Sequence, residues 1–144
     1  MVYPEVGTQV QVPEDTPNDT LFVCVAGTYG RKQRSNVTGE CVSLEDCACG
    51  YWKIQHLSQA HAGDCEWLMA HCDGKIKGVW KIDRQKGWLP AADVRKQTWP
   101  EDQRTDYPSS ACYLTPVSQE VWDRFVGKDV RLGRCWNPLR GYFR

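Results

Sequence analysis

Between Cys41 and Cys72 the chain carries five of its eight cysteines, Cys41, Cys47, Cys49, Cys65 and Cys72, and all three of its histidines, His56, His61 and His71. Whatever engages those cysteines decides much of the fold. Two chemistries compete, a metal cluster and a disulfide framework. Zinc takes four thiolate or imidazole ligands in a tetrahedron, commonly from C-x2-4-C and H-x3-5-H pairs. His56 and His61 have that spacing. The cysteines do not: one residue separates Cys47 from Cys49, five separate Cys41 from Cys47, and no Cys-x-x-Cys pair occurs. The expectation is therefore no metal and no other cofactor.

The disulfide reading has independent support. Asn18-Asp19-Thr20 and Asn36-Val37-Thr38 are glycosylation sequons, which act only in a secretory protein. Together with an even cysteine count they point to an oxidising compartment. All eight cysteines, Cys24, Cys41, Cys47, Cys49, Cys65, Cys72, Cys112 and Cys135, are expected in disulfides. Eight cysteines allow about 105 connectivities, so the pairing stays open.

Local patterning narrows it. From Ser58 to Cys72, apolar and cysteine positions recur three and four apart, which predicts a helix stopped by Asp73-Gly74. On that helix Cys65 and Cys72 share a face but lie roughly 10 Å apart. A disulfide needs Cα atoms about 4.4–6.8 Å apart. Cys47 and Cys49, if extended, point to opposite faces. Neither Cys65–Cys72 nor Cys47–Cys49 is expected to form.

The remaining chain reads as follows. Residues 1–19 are expected to be irregular. Thr20 to Ala26 reads as a strand buried on both faces. Tyr51 to Gln55 is a candidate strand. Lys75 to Asp83 alternates, with Ile76, Gly78, Trp80 and Ile82 on one face and lysines on the other. Thr115-Pro116 opens a second helix, with Thr115 as N-cap and Gly127 as its stop. Asp129 to Cys135 is expected to be a final strand, followed by a tail with a turn at Asn137-Pro138. Between Arg84 and Ala111 periodicity disappears. Long structureless loops in compact domains are commonly binding loops, and aromatic side chains on them make good anchors. Trp88, Trp99 and Tyr107 are the interaction residues this predicts. The sum is one α+β domain over residues 1–144: a small antiparallel sheet of about four strands, two helices packed on it, and disulfide cross-links.

Lysine plus arginine equals aspartate plus glutamate at 18 each, so neither nucleic acid nor a membrane surface is an expected partner. No run approaches the roughly 18 apolar residues of a membrane span. Met1-Val2-Tyr3-Pro4 lacks the charge and apolar run of a signal peptide, so Met1 is read as an added start on a mature chain. No Gly-x-Ser-x-Gly, His-Glu-x-x-His, phosphate loop or dinucleotide fingerprint occurs. No catalytic residue is assigned. One acid–base alternative remains: Glu66, His61, His71 and an arginine could serve a secreted hydrolase such as a ribonuclease.

Two stretches or patterns resemble known families. Cys24-Val-Ala-Gly-Thr-Tyr-Gly, then Gly39-Glu-Cys-Val-Ser-Leu-Glu-Asp-Cys-Ala-Cys49, resembles the last part of a trypsin-inhibitor-like module, whose early cysteines have no counterpart before Cys24. That resemblance implies protease inhibition by the Cys24–Cys49 region. Size, eight cysteines, abundant aromatics and the missing catalytic signature resemble small secreted cysteine-rich effectors of plant-pathogenic fungi, nearest in architecture to the LARS (Leptosphaeria avirulence-suppressing) family. This second resemblance implies a non-enzymatic monomer, secreted, with transfer into host cells left open. It would bind a host protein and modulate, or be recognised by, host plant immunity. The hydrolase and the inhibitor stand as alternatives.

Overall fold

The computed structural model describes residues 10–26, 29–30, 32, 43–50, 52–90, 109–132 and 137–143. Cys41, Cys135, Trp99, Tyr107, the Asn36 sequon and most of the Arg84–Ala111 loop lie outside these residues. The fold is α+β. A five-stranded sheet runs in the order β7-β4-β3-β1-β8, built from β1 (Thr20–Cys24), β3 (Trp67–Cys72), β4 (Lys75–Ile82), β7 (Leu114–Pro116) and β8 (Leu139–Tyr142). A second sheet holds β2 (Trp52–Lys53), β6 (Ser109–Ala111) and β5 (Leu89–Pro90), in that order. Three α-helices are described: α1 (Leu44–Cys49), α2 (Ile54–Gln59) and α3 (Gln119–Phe125).

The large sheet is mixed, not antiparallel as expected. β1 and β3 are parallel, from Thr20↔Trp67 to Cys24↔His71. Parallel neighbours need a long crossover, and the chain between them supplies one that includes α1 and α2. The burial of β1 on both faces agrees with its central place: Leu21, Phe22 and Val23 are all fully buried. Leu21, Val23 and Val25 join one core cluster, with Leu68, Trp80 and Ile82. Phe22 faces the other, with Met69, Ile76, Val79 and Phe125. Each such buried side chain contributes about 1.5–3 kcal/mol.

The predicted helix over Ser58–Cys72 does not exist. α2 ends at Gln59, a 3-10 turn follows at Ala62–Asp64, and Trp67–Cys72 is a strand. His61 sits at φ 53°, a left-handed conformation that a continuing helix forbids. Asp73 and Gly74, at φ 55° and 76°, form the two-residue turn of the β3–β4 hairpin, not a helix stop. Conversely, Cys47 and Cys49 lie in a helix, not a strand. Ser43 caps it, its Oγ accepting from the Asp46 amide at 3.1 Å. The 51–55 strand shrinks to Trp52–Lys53, because α2 begins at Ile54.

β4 forms as expected, but its faces change partway. The register runs Ala70↔Gly78 and then His71↔Ile76, leaving Lys77 as the extra residue of a bulge. Ile76 is thereby turned to the face of Val79, away from Trp80 and Ile82. The lysine face is not wholly solvated, since Val79 is fully buried on it. The last helix starts later than expected. Leu114–Pro116 is an edge strand, and Ser118, not Thr115, caps α3, accepting from the Val121 amide at 3.3 Å. The expected strand from Asp129 reduces, among the described residues, to two isolated bridges, Lys75↔Asp129 and Gln11↔Arg131. The tail instead supplies β8. Asn137 turns the chain into it, its Oδ1 accepting from the Leu139 amide at 2.9 Å. No disulfide joins any two of the six described cysteines, and Cys41 and Cys135 lie outside the described residues.

Candidate functional site

The small sheet gathers the features that bear on binding. β6 lies in its middle, paired on one side with β2 (Trp52↔Ser110, Lys53↔Ser109) and on the other with β5 (Leu89↔Ala111, Pro90↔Ser110). β5 and β6 are too short to leave a periodic signal, which is why the sequence shows only a loop there, whereas β2 falls inside the 51–55 candidate strand. Pro90 is tolerated because β5 is an edge strand. Pro90 and Ser110, which flank the segment 91–108, are paired with each other and lie about 5 Å apart across the ladder.

Both ends are tied to the protein body. Before β5, Asp83 organises a turn: its Oδ1 accepts from the Gln85 and Lys86 amides, and its carbonyl accepts from the Gly87 amide at 3.0 Å. Gly87 takes φ 65° there, which favours glycine. Trp88 follows, half-buried against the core, its indole N–H donating to the Ala62 carbonyl at 3.3 Å. After β6, Ala111 and Cys112 are buried, and the Cys112 amide donates to the Cys49 carbonyl at 3.0 Å. The Asp83 amide donates to the Tyr113 carbonyl at 2.9 Å, and Lys86 Nζ lies 4.2 Å from the Tyr113 ring centroid. Tyr113 is itself exposed, as is Ile54 just after β2. Of the three predicted anchors, Trp88 is placed at the root of the segment, packed inward. Trp99 and Tyr107 belong to the segment 91–108, outside the described residues.

Five of the six described cysteines are buried, and Cys24 is half-buried. Cys47, Cys49, Cys65, Cys72 and Cys112 all join one core cluster. Burial pushes the Cys65 thiol up to about 12, helped by Asp19 and Asp64 and opposed by Arg84. Burial likewise raises Cys72 and Cys112. Thiols held protonated are poor nucleophiles and poor metal ligands. Among the described residues no group of three or more His, Cys, Asp or Glu side chains could hold a metal ion. Cys65 and Cys72 bracket an extended strand, so seven steps of about 3.3 Å hold them roughly 23 Å apart. The helical argument against their pairing fails, and a stronger one replaces it.

The acid–base alternative is not assembled. His71 sits near the end of β3, half-buried and edge-on to Phe22 at 6.5 Å, and burial pulls its pKa down to about 4. Glu66 lies just before the same strand and pairs with Lys81 at 3.7 Å. Five strand residues hold Glu66 and His71 roughly 16 Å apart. His61 is exposed on the turn after α2, edge-on to Phe143. A shallow cleft of about 440 Å³ lies elsewhere, lined by Glu14, Asp15, Asp123 and Asp129 but also by Arg124 and Lys128. Its mixed charge selects no ligand.

No helix of the described residues is long and apolar enough to cross a membrane. Searches of protein-family models, curated proteins and solved structures find no match to this chain.

Proposed function

We propose that this chain is a secreted, disulfide-stabilised, non-enzymatic interaction protein of effector type, which engages a host plant protein through the segment between β5 and β6. The observation that carries the reading is the clamped root of that segment. Paired strands, the Trp88–Ala62 bond and the Cys112–Cys49 bond hold both ends on the core. A binding segment whose ends are fixed loses less conformational entropy on association than one hung from free ends. Trp99 and Tyr107 are the aromatic anchors of the contact, and the effector resemblance makes the partner a component of plant immunity. The dispersal of His61, Glu66 and His71 supports binding over hydrolysis.

The test is infiltration of purified protein into leaves of a panel of plant lines. Wild type is expected to trigger line-specific cell death. The double variant Trp99→Ala/Tyr107→Ala is expected to lose it, and His61→Ala/Glu66→Ala to keep it. RNA hydrolysis by wild type that His61→Ala abolishes would replace this reading with the enzymatic one.

A further inference from the structure

We propose that Cys49 and Cys112 are partners in one disulfide of the mature protein, a staple joining the end of α1 to the end of β6. The inference rests on the secreted reading above, because it needs an oxidising compartment. The geometry singles out this pair. The Cys112 amide donates to the Cys49 carbonyl at 3.0 Å. The lengths of the bonds along a single backbone hydrogen bond hold the two Cα atoms roughly 5–6.5 Å apart, inside the disulfide window of about 4.4–6.8 Å. Both side chains are buried, at 6% and 1% exposure, in the same core cluster. Negative charge on the Cys49 sulfur further raises the Cys112 thiol pKa, which places the two sulfurs within electrostatic reach.

The other couple of neighbouring cysteines behaves differently. Cys24 also helps raise the Cys72 thiol, after burial and Asp73, but Cys24 is paired with His71 across β1 and β3. Alternation then sends the Cys24 and Cys72 side chains to opposite faces of the sheet. No bond is assigned between them.

The chemistry balances by thiol–disulfide exchange. The Cys49 and Cys112 thiols each lose a proton, one Sγ–Sγ bond forms, and two electrons reduce the disulfide of a protein thiol oxidoreductase to two thiols. The staple closes a loop that contains β2, α2, β3, β4, β5 and β6. Its position matters for binding, because it locks the return strand of the 91–108 segment to the core.

The experiment uses the full chain secreted from a eukaryotic host. Non-reducing digestion with mass spectrometry is expected to yield a linked pair of peptides containing Cys49 and Cys112. Fragmentation must separate Cys49 from Cys47, since only Ala48 lies between them. Under denaturing conditions, Cys49→Ser and Cys112→Ser are each expected to expose one more titratable thiol than wild type. The double variant is expected to return to the wild-type count. A wild-type mass unchanged by reductant would overturn the disulfide reading as a whole. A mass gain with Cys49 linked to any other cysteine would overturn this pairing alone. Should either single variant fail to fold, the wild-type peptide map still decides.

Discussion

The indole N–H of Trp88 donates to the carbonyl of Ala62 across 3.3 Å, joining the start of β5 to the turn that follows α2. Ala62 is fully buried, and its carbonyl also accepts from the Cys65 amide at 3.1 Å. Removing the indole therefore costs packing more than it orphans the acceptor. Trp88→Ala is expected to lower stability by about 2–3 kcal/mol, below the roughly 3–5 kcal/mol of a fully buried tryptophan because this ring is half-buried. Trp88→Phe keeps much of the apolar contact and is expected to lose about 1 kcal/mol. Urea unfolding midpoints at constant slope check both. A midpoint unmoved by Trp88→Ala would mean that the indole does not tie the start of β5 to the core.

The start of α3 offers a cleaner comparison. Thr115-Pro116 has the composition of a helix start, yet the Ser118 hydroxyl performs the capping. Ser118→Ala is expected to cost about 1 kcal/mol, the usual value for a lost N-cap. Thr115, on an exposed edge strand, makes no such contact, and Thr115→Ala is expected to stay within about 0.5 kcal/mol of wild type. Thermal melts of the two single variants decide which residue begins the helix.

The elements that were legible in the sequence are those whose side-chain period survives folding undisturbed. β1 and β4 read correctly because Leu21, Val23, Trp80 and Ile82 recur at the strand period within one face. The Ser58–Cys72 stretch misled because His61, Cys65, Leu68 and Cys72 happen to fall at helical spacing. The stronger signal was Asp73-Gly74 between two apolar runs, the turn chemistry of a tight hairpin. β5 and β6 were invisible for a different reason. Strands of two or three residues carry no period, and their pairing depends on β6 lying between partners distant in sequence. Trp88 was thus legible as a residue to watch, but not the hydrogen bond to Ala62 or the paired strands beside it, which join residues far apart in sequence.

Gly78 shows why a glycine stands in the middle of a long strand. Its neighbour two residues on, Trp80, lies on the same side of β4, and the indole folds back over the glycine. A Cβ at position 78 would come within 2.3 Å of the Trp80 ring. Trp80 cannot swing away easily, being buried and edge-on to Trp122 of α3 at 5.6 Å between centroids. Gly78→Ala is therefore expected to destabilise by about 1–3 kcal/mol, although alanine is the better residue for an ordered backbone. Near-ultraviolet circular dichroism should change with it, because the Trp80–Trp122 geometry must shift. A stabilised variant with an unchanged tryptophan spectrum would show that the indole does not rest on the glycine.

His71 sets a pH limit on the core. Burial lowers its pKa from about 6.5 in the unfolded chain to about 4 in the folded one, so the native state prefers the neutral ring. A depressed pKa means that stability is fully present above about pH 6.5 and is lost as pH falls towards 4, where protonation favours the unfolded chain. The ring keeps some contact with solvent, so the loss between pH 7 and 4.5 is expected to be about 2 kcal/mol. Carboxylates titrate in the same range, so the comparison must be with a variant that lacks only this group. His71→Gln is expected to show a correspondingly smaller loss over that interval in urea titrations. The carbon-bound ring protons of His71, followed by NMR, should titrate near 4. A midpoint near 6.5 would place the ring in water, and the edge-on contact with Phe22 would then have no part in holding β1 to β3.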